Sequence, residues 1–81
     1  MAGPRRRRKE LMALIKKVLR EKFPDGAVPK EILAEIADRV EWSNFSTPRD
    51  KLISVVCWEM RGLKELQYED GVYSIWEKVP E

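Results

Sequence analysis

The chain has 81 residues, 43% hydrophobic and 37% charged, with a net charge of +2 and three Trp, two Tyr and two Phe. That length holds one domain with a modest core, and the apolar content argues against disorder for most of the chain. A lone cysteine (Cys57) excludes an internal disulfide and a cysteine-cluster metal site, and the lack of histidine removes the commonest general base and metal ligand.

Charge is split between the ends. Residues 1–22 carry nine Lys/Arg against two acids, a net of +7, and the remainder carries seven against twelve, a net of −5. Such asymmetry suggests a basic arm for a polyanion attached to a globular unit. "MAGPRRRR", residues 1–8, predicts a flexible basic arm ahead of a domain over residues 9–79. The run "LMALI" (Leu11 to Ile15) is cut short by Lys16 and Lys17, so it is neither a secretion signal nor long enough to span a bilayer. Gly3 is not at the second position, so the myristoylation pattern fails. An intracellular location, cytoplasmic, nucleoid or nuclear, is expected, with no membrane partner.

From Lys9 or Glu10 the spacing predicts a first helix. Leu11, Leu14, Ile15, Val18 and Leu19 share a stripe opposite Lys16, Lys17 and Arg20, and Phe23 before Pro24 closes it. "PDG" (Pro24 to Gly26) is a turn, and Ala27 and Val28 form at most a very short strand. Pro29 suits the first turn of a second helix of about eleven residues, striped by Ile32, Leu33, Ile36, Ala37 and Val40. "EWSNFST" is a loop. Thr47 then caps a third helix beginning at Pro48, with Asp50 completing a variant capping box and Gly62 as its left-handed cap. On that helix Leu52, Ile53, Val56, Met60 and Leu63 gather on one face. Lys51, Ser54, Trp58 and Arg61 gather opposite, with Asp50 and Cys57 at the edge of the polar group. Cys57 reads as a small inert thiol.

"LQYEDGVYSIW" (Leu66 to Trp76) reads as a β-hairpin turning at Asp70-Gly71 in a type I′ turn. That register sets Glu69 against Val72, Tyr68 against Tyr73, Gln67 against Ser74, Leu66 against Ile75 and Glu65 against Trp76. Leu66, Tyr68, Tyr73 and Ile75 then cover the core, and Gln67, Glu69, Val72, Ser74 and Trp76 face away.

Three helices, a short strand after the first, and a terminal hairpin make an α+β chain that resembles the winged-helix form of the helix-turn-helix. The likeness rests on the apolar stripes, on "TPRD" (Thr47 to Asp50) and on "YEDGVYSIW" (Tyr68 to Trp76), and spans Lys9 to Lys78. A more distant likeness is to HARE-type winged helices of transcription machinery, through Glu31–Ile32…Ile36 and Asp70-Gly71-Val72-Tyr73. The resemblance implies a duplex-DNA-binding protein, a transcriptional regulator or DNA-associated accessory. Its third helix would enter the major groove through Arg49, Lys51, Ser54, Trp58 and Arg61, although Arg49 leans by angle towards the buried side.

Lys and Arg suit guanine edges or phosphates, and Ser donates to either. Trp58 is either a packing plug against the loop or hairpin, the favoured reading, or a contact residue. Arg5, Arg6, Arg7, Arg8 and Lys9 would lie in a minor groove or along phosphates, continued by Lys16 and Lys17, with a log–log salt slope of roughly −4 to −5 for about five contacts. The acids Glu69 and Asp70 depart from a phosphate-gripping wing. Either the wing stands clear while helix three and the arm bind, or Val72 and Trp76 mark a surface for a protein partner or a second copy, with packing of Trp76 over Glu65 and Lys64 as the other reading of that residue. The alternative function is a protein-interaction module in a transcription or replication complex. A single-stranded nucleic-acid binder is a third reading. No enzyme activity, metal or cofactor is expected.

Overall fold

A computed structural model describes residues 4–76 of the chain, with side chains described from Arg7 onward. Expectations for residues 1–3, for residues 77–79 and for the side chains of Arg5 and Arg6 lie outside the described residues. The chain is α+β. Helices α1 (Pro4–Lys22), α2 (Pro29–Ile36) and α3 (Arg49–Gly62) precede an antiparallel hairpin of β1 (Leu66–Glu69) and β2 (Val72–Ile75).

The first helix starts at Pro4, not at Lys9, so the backbone of Arg5–Arg8 is helical where a flexible arm is expected from sequence. Proline fits this first position because its missing N–H has no partner there in any helix. The electrostatics are adverse: this positive helix end has no acid in its first turn.

Helix α2 is eight residues long, shorter than its apolar stripe suggests. Residues 37–39 form a turn instead, and the Trp42 indole N–H donates to the Ala37 carbonyl at 2.9 Å. That bond satisfies one of the carbonyls that a helix end leaves open. At the other end the Glu31 carboxylate accepts the Val28 N–H at 3.2 Å. The expected Thr47 cap does not form. Pro48 is the cap residue of α3, with no side-chain cap bond, and its carbonyl accepts the Leu52 N–H at 2.8 Å.

The hairpin has the expected register, Leu66↔Ile75, Gln67↔Ser74, Tyr68↔Tyr73 and Glu69↔Val72, and the Trp76 N–H bonds the Glu65 carbonyl at 3.1 Å. Asp70 (φ 51°) and Gly71 (φ 83°) both take the positive φ that a type I′ turn requires. Ala27 exchanges both backbone bonds with Tyr73 at 2.8 Å, so the short strand foreseen after α1 is a single bridge residue that extends the sheet beyond β2. Gly26 (φ 103°) allows this approach: a Cβ there would meet Val72 Cγ1 at 2.6 Å and the Tyr73 carbonyl at 2.9 Å.

One core joins all elements: Leu11, Ile15, Val18 and Leu19 of α1, Ile32 and Ile36 of α2, Leu52, Ile53, Val56, Cys57 and Met60 of α3, and Ala27, Leu66 and Tyr73. Three residues depart from the sequence expectation. Cys57 is fully buried, because α3 packs against α1, α2 and β1 and so buries a wider arc than one stripe. Leu63 is 61% exposed because the helix ends before it, so helical phase no longer points it inward. The left-handed residue at this exit is Lys64 (φ 63°), not Gly62. Tyr68 is 44% exposed, next to the hairpin tip, with its ring 4.8 Å from that of Tyr73.

Candidate nucleic-acid interface

Helix α3 turns its apolar residues inward, which leaves Asp50, Lys51, Ser54, Val55, Trp58 and Arg61 on an outer face where each is exposed. Arg49 has the inward phase of Ile53 and Met60 but is exposed, because it stands on the first residue of the helix, ahead of the first packed turn. The Ser54 hydroxyl donates to the Asp50 carbonyl one turn back at 3.3 Å. Beside this face Lys30 and Leu33 of α2 join Asp50, Lys51 and Ser54 around an open groove of about 450 Å³.

Trp58 is 58% exposed and is not a packing plug. Its neighbour is Arg61, whose guanidinium carbon lies 4.8 Å from the ring centroid, a cation–π arrangement worth about 0.5–1 kcal/mol at an exposed site. One helical turn separates the two, so the indole is covered by a residue of its own helix.

The cations of α1 do not form one free strip. Arg8 Nη2 is 2.6 Å from Glu59 Oε1 on α3, and Arg8 Nε is buried without a hydrogen-bond partner. Lys16 Nζ is 2.8 Å from Glu65 Oε1, at the start of the hairpin. These two cations tie α1 to α3 and the sheet, so they are committed within the molecule. Arg7 diverges from Arg8 and lines a groove of about 310 Å³ with Glu10, Arg39 and Glu41. Lys9 and Lys17 are exposed.

On the hairpin, Val72 is half-buried beside Gly26, so it is not the open apolar contact expected from strand alternation. Trp76 is 41% exposed, and it lines a depression of about 390 Å³ with Arg61, Gly62, Lys64, Gln67 and Tyr68. Sequence reading missed Tyr68 and Lys64 as neighbours of helix α3. The signal was indirect: β1 follows α3 after three residues, so its edge must run beside the helix end.

Burial pushes the Cys57 thiol up to about 12, which keeps it protonated. Burial also raises Tyr73, helped by the neighbouring Cys57 and Tyr68 and opposed by Arg61. Among the described residues no group of His, Cys, Asp and Glu could hold a metal ion, and no helix is long and apolar enough to cross a membrane. Comparison with protein-family models, with curated proteins and with solved structures finds no match for the chain.

Proposed function

We propose that this chain is a winged-helix protein that binds duplex DNA and serves as a transcriptional regulator or DNA-associated accessory. The observation that carries the reading is the outer face of α3, where Lys51, Ser54 and Arg61 are exposed together, with Arg49 exposed at the start of the helix. An α-helix fits the major groove, and these side chains are of the types that read base edges or hold phosphates there.

The helical start of α1 changes the part played by the arginines. A helix is about 10–12 Å across with its side chains, whereas the minor groove is about 6 Å wide. The first turns of α1 therefore lie on phosphates rather than in a minor groove. Arg8 sits on Glu59 of α3, so this end flanks the recognition face. Phosphate oxygens there also suit the unopposed positive helix end. With Arg8 committed to Glu59 and Arg7 turned to the groove of Glu10, Arg39 and Glu41, the salt slope is expected to be shallower than that for about five contacts.

A second reading, a protein-interaction module, is favoured by the acidic hairpin tip of Glu69 and Asp70 together with the exposed Trp76. Fluorescence anisotropy with labelled duplex DNA separates the two. The DNA reading predicts salt-sensitive binding that Lys51→Ala and Arg61→Ala each weaken, while Trp76→Ala leaves duplex affinity unchanged. Absence of duplex binding at low salt overturns it.

A further inference from the structure

The surface running from Trp58 over Arg61 to Tyr68 and Trp76 is unlike the rest of the α3 face. Three aromatic rings are 58%, 44% and 41% exposed, and two cations, Arg61 and Lys64, stand among them. Arg61 links the parts: it lies 4.8 Å over the Trp58 ring and also lines the depression that holds Tyr68 and Trp76. Among the described residues no acid lines that depression. Two acids of the adjoining segments, Glu59 and Glu65, are held by Arg8 and Lys16 from α1 at 2.6 and 2.8 Å, while Glu69 follows Tyr68 on β1 and is exposed. Arg61 and Lys64 make no ion pair among the described residues, so the patch keeps its positive charge.

A duplex offers such rings little, because its base faces are stacked against one another and only edges show in the grooves. An unpaired strand offers both complements at once: π-faces for the rings and phosphates for the cations. A dry protein contact would suit the rings and Arg61 but not Lys64, since lysine is depleted from interface cores, whereas an unpaired strand meets both cations with phosphate. We infer that the Trp58–Arg61–Lys64–Tyr68–Trp76 surface is a stacking platform for unpaired nucleotides, a single-stranded segment of nucleic acid. The inference adds a second form of ligand to the nucleic-acid reading, on side chains that overlap the duplex face only at its Arg61 edge, and the tests at Trp58, Tyr68 and Lys51 let the two fail separately.

The test uses the full chain with a fluorescein-labelled thymidine strand of about twelve nucleotides, near the reach of one small domain. Its blunt duplex with the complementary adenosine strand is titrated in parallel. The single strand quenches tryptophan emission. Trp58→Ala and Tyr68→Ala each lower single-strand affinity by roughly five- to 150-fold, the range for loss of one stacked base. Trp58→Phe and Tyr68→Phe keep a ring and retain most of it, which separates stacking from loss of fold. Lys51→Ala, outside the patch, leaves single-strand affinity within about twofold while it weakens the duplex.

Duplex binding with no single-strand binding overturns the platform and leaves the duplex reading standing. Single-strand binding without duplex binding does the reverse. Single-strand affinity indifferent to Trp58→Ala and Tyr68→Ala overturns the platform. So does a dimer, seen by sedimentation, that those two substitutions dissolve.

Discussion

Arg8 of α1 reaches across to Glu59 of α3, Nη2 to Oε1 at 2.6 Å, and so fastens the most basic part of the chain beside the helix that carries the exposed polar face. Both side chains are partly in solvent, so the pair adds only about 0–1 kcal/mol to stability. Its larger effect is electrostatic. It neutralises one cation and one acid beside the exposed face of α3.

Glu59→Gln frees Arg8 and deletes a negative charge beside α3. Duplex affinity is expected to rise several-fold, and the salt slope to steepen by about 0.9, one added phosphate contact. Anisotropy titrations at several salt concentrations measure both. Unchanged slope and affinity would mean that Arg8 lies away from the DNA.

Gly26→Ala places a methyl group 2.6 Å from Val72 Cγ1 at a φ of 103°. The expected cost is about 1–3 kcal/mol, with loss of the Ala27–Tyr73 bridge. Thermal unfolding reads the cost, and faster amide exchange at Ala27 and Tyr73 reads the bridge.

Lys64 holds a left-handed conformation (φ 63°) at the exit of α3. A side chain there costs about 1 kcal/mol that glycine avoids. Lys64→Gly is therefore expected to raise stability by up to about 1 kcal/mol while lowering single-strand affinity, a separation that denaturant unfolding and strand titration resolve together.

Cys57 makes stability fall at high pH. Its folded value of about 12 exceeds the ordinary thiol value of 9.0, so the folded chain holds a proton that the unfolded chain releases. The stabilisation is complete below about pH 9 and is lost as pH climbs towards 12, with a slope of up to about 1.4 kcal/mol per pH unit. Cys57→Ala flattens this part of the profile and leaves the contribution of Tyr73, also raised by burial. Native Cys57 should also resist alkylation until the chain unfolds.

The hairpin was the most legible element in the sequence, because Asp70-Gly71 demands positive φ at two adjacent positions and so sets turn, register and facing together. Helix stripes located the core for a similar reason, since few other arrangements hide Leu11, Ile15, Ile32, Ile36, Ile53 and Val56 at once. Ends were harder to read. Four arginines after a proline look like a loose arm, yet Pro4 is also a good first residue for a helix, and local sequence does not choose between the two. At Thr47 the capping pattern was present, but Pro48 took the cap position. For the candidate site, exposure of Lys51, Ser54 and Arg61 followed from helical phase. The pairing of Arg8 and Lys16 with Glu59 and Glu65 did not, because it joins residues far apart in the chain.

The central claim is that the outer face of α3, flanked by the start of α1, docks on duplex DNA. Backbone amide shifts of isotope-labelled protein titrated with a short duplex test it most directly. The account predicts shifts concentrated at Arg49, Lys51, Ser54 and Arg61 and in the first turns of α1, with the tip residues Glu69 and Asp70 unmoved. Shifts confined to the hairpin, or none at all, would contradict it.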